Sequence, residues 1–268
     1  MAAEMSLREH LDELRGRILR IVLSIAIITV FVQAFDLRPA EVGGIELAYP
    51  YPDPIHNISS RLMIYMQHSL LPEGVTLVQT APGQAFFAQI YVSALVGIIG
   101  SMPLIAMEIS GFISPAISKS AKSGVARIFV PAVALFVAGI VFSYVVVIPF
   151  VLNFLYEYGK SLDVLLLFTI NDFISFVLQF LLGFGIAFQL PILMYGLSLT
   201  DAISPKFWRN NFRYAVIVLV IFGAAITPDG SGITMWFVTV PMVALYLAGM
   251  VAVEMRARRV TQVAKTNT

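Results

Sequence analysis

The stretch FISFVLQFLLGFGIAFQLPILMYGLSLT, residues 173–200, contains 28 residues and no charge. A helix needs about 20 apolar residues to cross the roughly 30 Å hydrocarbon core of a bilayer, so this run predicts a membrane span. The rest of the chain is similar: of its 268 residues, 59% are hydrophobic and 12% are charged, and its mean hydropathy is +0.87. Soluble domains carry about twice that share of charged residues. The sequence therefore indicates an integral membrane protein.

Six uncharged or nearly uncharged runs of this kind predict six transmembrane helices. They are residues 18–35, 85–107, 128–156, 173–200, 214–228 and 230–253. The fifth run extends only about 22 Å at 1.5 Å per residue, and we expect the fifth and sixth spans to be short. Prolines in four of the runs predict kinks, because proline removes a backbone donor. These are Pro103, Pro131, Pro149, Pro191 and Pro241. The predicted fold class is an all-α integral membrane protein, a curved and kinked bundle.

The distribution of lysine and arginine predicts the orientation of the chain. Fourteen of the 17 lie before the first span or at its start, where Arg20 stands, in the second and fourth loops and after the last span; the other three loops hold three. Positive residues favour the cytoplasmic side, so we expect both termini there. The sequence thus predicts one six-span membrane domain, residues 1–268. Its parts outside the membrane are a cytoplasmic N-terminal segment (1–17), a large extracytoplasmic loop (36–84) and a cytoplasmic tail (254–268).

The large loop carries two local signals. Apolar residues recur at helical spacing over residues 55–71, which predicts a short amphipathic helix. The tripeptide Asn57-Ile58-Ser59 matches a glycosylation sequon, a pattern that is frequent by chance.

Composition and motifs argue against an enzyme and against a cofactor. The chain has no cysteine, which excludes disulfides, Cys-ligated zinc, iron–sulfur clusters and thiol nucleophiles. Its three histidines, at positions 10, 56 and 68, lie outside the predicted spans, and we find neither an HExxH motif nor a glycine-rich phosphate loop. A net charge of +1 gives no electrostatic footprint for nucleic acid. We therefore expect no catalytic residues, no metal site, no cofactor and no nucleic-acid partner.

Gln189 is the most informative polar residue inside a predicted span, directly before Leu190-Pro191. A buried amide must find a partner, since an unpaired polar group in lipid costs several kcal/mol. Two interpretations stay open: an interhelical hydrogen bond, or a functional polar spot in a membrane cavity.

The segment EHLDELRGR, residues 9–17, leads directly into the first span. On a helix, Glu9, Glu13 and Arg17 would share one face as a ladder of ion pairs with four-residue spacing. The run His10–Arg15 resembles the opening of the TatC family, the multispan core of the twin-arginine protein translocase. The resemblance continues in order along the chain. It involves residues 111–116, 142–150, 175–191, 227–229 and 240–242.

The resemblance implies a function in protein transport. Members of that family recognise signal peptides that carry consecutive arginines. With single-span Tat partner subunits, in an oligomeric complex, they export folded proteins across the cytoplasmic membrane using the proton gradient. It therefore implies a multi-pass protein of that membrane, in contact with its lipid bilayer, with twin-arginine signal peptides as ligands.

The same resemblance implies which residues form the sites. The position matching Glu13 belongs to the arginine-recognition surface, and a carboxylate suits this role because it pairs bidentately with guanidinium. The residues expected beside it are His10, Leu14, Arg15, Phe112 and Pro115. Gln189 occupies the family's intramembrane polar position. Thr227, Pro228 and Asp229 match the turn before the last span, which we expect to contact a partner subunit.

One departure from the family pattern leads to a hypothesis of its own. The family usually has a second acidic residue in the loop after the second span, where this chain has Ala121. No acidic residue occurs between Glu108 and Glu157. We expect Glu108, at the end of the second span, to supply the second negative charge.

Two other functions remain as alternatives. A small-solute secondary transporter or channel would favour ionisable groups at the membrane midplane and repeat symmetry, and we find neither. Composition does not exclude a structural insertion or assembly factor.

Overall fold

The computed structural model describes residues 7–42, 45–113, 122–162, 167–199, 203–227 and 232–266, and these residues are mostly helical. The helices are α1 (Leu7–Ala34), α2 (Ile58–Leu70), α3 (Gln84–Ile113), α4 (Lys122–Phe142), α5 (Ile148–Lys160), α6 (Ile170–Ala187), α7 (Leu190–Leu199), α8 (Pro205–Asn210), α9 (Phe212–Ile226) and α10 (Gly232–Thr266). A π-helical turn, Ser143–Val147, joins α4 to α5. The strands are β1 (Phe35–Val42), β2 (Ile45–Pro52), β3 (Thr76–Val78) and β4 (Leu167–Thr169).

Five stretches of the described chain are long and apolar enough to cross a membrane. They are Leu11–Ala34, Gln84–Gly111, Phe129–Lys160, Ile170–Ser198 and Gly232–Ala257. These stretches fall on five of the six predicted spans. Helix α9 lies at the remaining one, but its 15 residues extend only about 22 Å. The chain is therefore a multi-pass membrane protein.

The expectation that the sixth span is short is wrong. The apolar part of α10, Gly232–Ala257, has 26 residues, which extend about 39 Å. Pro241 lies inside this helix without ending it. The uncharged run itself, residues 230–253, already has 24 residues, and the helix continues beyond it past Glu254.

The all-α prediction is also wrong in one respect, because part of the large loop forms strands. β1 pairs antiparallel with β2, in a register that sets Asp36 opposite Tyr51 and Arg38 opposite Tyr49. A second small sheet pairs β3 with β4 in parallel. The prolines of YPYP, residues 49–52, disfavour a helix there, because proline lacks the N–H that a helix needs and restricts the residue before it to extended conformations.

The contacts within the chain divide it into two units. Unit 1 comes from Met1–Phe112 and Leu152–Leu178, and unit 2 from Ile113–Val151 and Gln179–Thr268.

In unit 1, small residues let α1 and α3 approach closely. Ser93, Gly97 and Ser101 are spaced by four residues along α3 and so lie on one face. A Cβ atom on Gly97 would lie 2.8 Å from the carbonyl oxygen of Ile25, and the Ser101 hydroxyl is hydrogen-bonded to Ser24 at 2.9 Å. This spacing of small residues is a common means of helix association in membranes.

Helix α2 lies within the predicted amphipathic stretch, and Asn57 caps its N-terminus. The Asn57 side chain is fully buried. Its amide donates to the carbonyl oxygens of Gln33 and Pro54, and its oxygen accepts from the backbone N–H of Ser60 and the hydroxyl of Ser59. A side chain held in this way is inaccessible to glycosylation in the folded protein.

In unit 2, two spans are irregular near their prolines. The π-helical turn precedes Pro149, which has no N–H to continue the regular ladder. The fourth predicted span is interrupted at Phe188 and Gln189, just before Pro191, and so forms α6 and α7. Helices α3, α4 and α10, in contrast, continue through their prolines.

Candidate functional site

The N-terminal part of α1 meets the C-terminal part of α3 within unit 1, and four ionised side chains lie there. Glu13, Arg17 and Arg20 follow one another at intervals of four and three residues, which places them on one face of α1. Glu108 stands in the last two turns of α3. We name Glu13, Arg17, Arg20 and Glu108 the arginine–glutamate cluster.

Arg17 joins the two carboxylates of the cluster. Its Nη2 and Nε donate to Glu13 Oε1 at 2.6 and 3.1 Å. Its Nη1 donates to Glu108 Oε2 at 2.9 Å and to the Glu108 carbonyl oxygen at 3.1 Å. A Cβ atom on Gly111 would lie 2.6 Å from this Nη1, so the absence of a side chain there makes room for the guanidinium.

Among the residues that the structure describes, Arg20 is hydrogen-bonded to Glu108 alone, through two bonds. Its Nε donates to Oε1 at 2.5 Å and its Nη2 to Oε2 at 2.9 Å. Together these bonds form the bidentate pair that the planar guanidinium favours with a carboxylate. The cluster therefore holds two positive and two negative charges, and it is formally neutral.

Burial differs sharply between the members of the cluster. The side chain of Glu108 is 8% exposed and that of Arg17 is 18% exposed. Glu13 is 25% exposed, whereas Arg20 is 57% exposed. Charges at the ends of apolar helices are expected to be paired in this way, because an unpaired charge there is costly.

The other predicted recognition residues are only partly described. Arg15 and Leu14 lie on α1 and are exposed. His10 and Phe112 belong to helices α1 and α3, but their side chains lie outside the described part, as do the whole of Pro115 and Ala121.

Sequence reasoning missed the pairing of Arg17 and Arg20 with Glu108. It anticipated the pair of Glu13 with Arg17, which are four residues apart on one helix. Arg20 falls inside the first predicted span, and the structure pairs it with Glu108. The available signal was the isolated carboxylate at the end of a span, which requires a positive partner. Which arginine pairs with Glu108 depends on how α1 packs against α3.

Gln189 lies at the turn between α6 and α7 in unit 2. Its Nε2 donates to the carbonyl oxygen of Ala132, in α4, at 3.2 Å. This contact is the interhelical hydrogen bond of the first interpretation; the functional polar spot stays a prediction.

Thr227 directly follows α9 as its C-cap residue, and its buried hydroxyl donates to the Gly223 carbonyl oxygen at 2.5 Å. Pro228 and Asp229 lie outside the described residues. Among the residues that the structure describes, no three His, Asp or Glu side chains are arranged to hold a metal ion.

Comparison with known proteins agrees with this architecture. The family model described as Sec-independent protein translocase protein (TatC) matches residues 9–241. A Sec-independent protein translocase protein TatC of Cenarchaeum symbiosum is 51% identical, over 96% of this chain and 97% of the relative. One from Carboxydothermus hydrogenoformans is 31% identical over 90% of each chain.

The fold is likewise similar to a solved structure. The crystal structure of a twin arginine translocase receptor, TatC, superposes with a TM-score of 0.76 at 26% identity, covering 92% of this chain and 99% of the other. The resemblance seen in the sequence motifs is thereby confirmed: the chain belongs to the TatC family of Sec-independent protein translocases.

Proposed function

We propose that this chain is the signal-peptide receptor and core subunit of a twin-arginine translocase in the cytoplasmic membrane. Family membership supports the role in Sec-independent transport, and the solved relative with the similar fold is a twin arginine translocase receptor. The observation that carries the receptor role is the arginine–glutamate cluster, in which two carboxylates already hold guanidinium groups in hydrogen-bonded pairs.

The proposed topology has six spans with both termini in the cytoplasm. Fourteen of the 17 basic residues then face the cytoplasm, and α9 serves as a short fifth span. The arginine–glutamate cluster would lie at the cytoplasmic boundary of the membrane, where a signal peptide arrives.

Carboxylates explain a preference for arginine over lysine. A carboxylate accepts two parallel hydrogen bonds from a guanidinium, whereas an ammonium group cannot reproduce that geometry. A charge-assisted hydrogen bond contributes about 1.5–3 kcal/mol, which is enough to select a ligand and still allows its release. Release matters because the cargo must move on.

In this proposal the remaining predicted residues complete the path. Five residues would surround the two carboxylates and contact the signal peptide: His10, Leu14, Arg15, Phe112 and Pro115. Gln189 would offer a polar spot to the inserting hydrophobic part of the signal peptide. The turn at Thr227, Pro228 and Asp229 would contact a single-span partner subunit.

The receptor role is tested by neutralising Glu13. We expect Glu13→Gln to reduce crosslinking of a twin-arginine signal peptide to the level of a Lys-Lys peptide, and to abolish export of a reporter carrying the signal. Asp12→Asn is the matched control, because Asp12 is the neighbouring residue of α1 and is exposed. Equal binding and export by Glu13→Gln and Asp12→Asn would refute the proposal.

The role of Glu108 is tested separately. If Glu108 supplies the second negative charge, Glu108→Gln must also weaken twin-arginine binding. Unchanged binding in Glu108→Gln, together with its loss in Glu13→Gln, would show that Glu108 only anchors Arg17 and Arg20.

A further inference from the structure

The two arginines of the arginine–glutamate cluster are held to different degrees. Arg17 has acceptors on both carboxylates and on a backbone carbonyl, and most of its side chain is buried. Within the described part of the chain, Arg20 forms hydrogen bonds only with the Glu108 carboxylate, and more than half of its side chain is exposed. Arg20 is therefore the member of the cluster that can leave while the rest remains in place.

The oxygens of Glu108 are already occupied. Oε1 accepts from Arg20, and Oε2 accepts from both Arg17 and Arg20. With this side chain only 8% exposed, no face of the carboxylate is open to a further bidentate ligand. A guanidinium that arrives from outside can bind Glu108 in this geometry only after Arg20 has moved away.

We propose that Arg20 is a resident guanidinium that a signal-peptide arginine replaces on Glu108. This inference rests on the proposed receptor function and adds the step by which the ligand enters. The incoming side chain takes over the two hydrogen bonds that Arg20 donates, so bonds are exchanged and none is lost. The freed Arg20 has a long apolar stem and lies near the start of the first span, so its charged end can reach the lipid headgroups.

The exchange has a consequence for selectivity. A resident competitor lowers the apparent affinity for every cation by the same factor, because each must displace it. For a weak ligand such as lysine, the apparent dissociation constant then exceeds the working concentration of the ligand, so it does not bind. Arginine, with its second hydrogen bond, still binds. Arg20 thereby sets the minimum affinity that a ligand needs in order to bind, and the carboxylates of Glu13 and Glu108 supply the attraction.

The test compares peptide affinities of the full chain in nanodiscs. Arg20 is largely exposed, and ion pairs at exposed positions are weak, so we expect Arg20→Gln to bind a twin-arginine peptide about two- to fivefold more tightly. A damaged fold would lower the affinity, so a gain cannot come from misfolding. Arg20→Lys, which keeps the charge but loses the bidentate pair, should show a smaller gain and serves if Arg20→Gln is poorly folded.

Two controls separate exchange from general charge effects. Removing any positive charge could favour a cationic peptide, so Arg213→Gln removes one from α9, where Arg213 contacts Tyr214 and no carboxylate among the described residues. We expect unchanged affinity in this variant. In a Glu108→Gln background, Arg20→Gln should likewise give no gain, because the position that it vacates no longer attracts a guanidinium.

The outcomes distinguish the inference from the function on which it rests. If wild type prefers the twin-arginine peptide over Lys-Lys but Arg20→Gln brings no gain, the exchange is refuted and the receptor function stands. A gain that persists in the Glu108→Gln background also refutes the exchange. If wild type binds both peptides equally, the receptor function fails and the inference fails with it.

Discussion

Replacing Asn57 by alanine should destabilise unit 1 strongly, because this side chain forms hydrogen bonds with the ends of two helices. Its oxygen accepts the Ser60 backbone N–H at 2.8 Å at the start of α2. Its amide donates at 2.9 Å to the carbonyl oxygen of Gln33, which lies in the last turn of α1. The Ser59 hydroxyl, also buried, donates to the same Asn57 oxygen.

The magnitude follows from these contacts. Loss of an N-cap side chain costs about 1 kcal/mol. A buried polar group left without its partner costs about 1–3 kcal/mol, and the Gln33 carbonyl loses such a partner. We therefore expect a total of about 2–4 kcal/mol, which for a chain of this size lowers Tm by roughly 5–15 °C.

The assay is thermal denaturation of the detergent-solubilised chain, followed by the fraction that stays monodisperse after heating. Asn210→Ala is the matched control, because Asn210 is an exposed asparagine in α8 and its removal should change stability by less than about 0.5 kcal/mol. If Asn57→Ala denatures at the temperature of Asn210→Ala, the buried network does not stabilise unit 1 and the reasoning is wrong.

Three further predictions concern other parts of the chain. Gly223→Leu should destabilise unit 2 by about 1–3 kcal/mol, since a side chain at this position of α9 would collide with the Thr239 hydroxyl; an unchanged Tm would contradict the close packing of α9 and α10. Hydrogen bonds from backbone N–H groups, that of His56 first, lower the pKa of Asp53. The ionised Asp53 carboxylate therefore contributes its full stabilisation above the ordinary aspartate pKa of about 3.9. This stabilisation is lost as the pH falls through the lowered pKa. Denaturation at a series of pH values should show wild type and Asp53→Asn converging only in acid, and a difference independent of pH would count against this role. Lengthening α9 by one turn, about 5.4 Å, should weaken export more than signal-peptide binding, and equal losses in both assays would contradict a role for its shortness.

Hydropathy was a reliable guide to the membrane-spanning helices because the length of an uncharged run can be read directly from the order of the residues, without knowledge of tertiary contacts. The expected shortness of the sixth span went against this property, since its uncharged run already has 24 residues and α10 continues beyond Glu254. Hydropathy gave no sign of the β1–β2 hairpin, since the prolines and tyrosines of residues 49–52 fit a loop as well as a strand. Strand formation there depends on pairing with residues 35–42.

The sequence motifs, in their order along the chain, were sufficient to identify the TatC family, and Glu13 with Arg17 followed from their spacing on one helix. The contact of Arg17 and Arg20 with Glu108 was different, because it joins residues about 90 positions apart. Hydrophobicity and helical spacing act along the chain, so the sequence by itself determined the five long spans and the face of α1 that carries the charges. Only the packing of α1 against α3 decided which charges meet, since small residues such as Gly97 and Gly111 set how closely two helices approach.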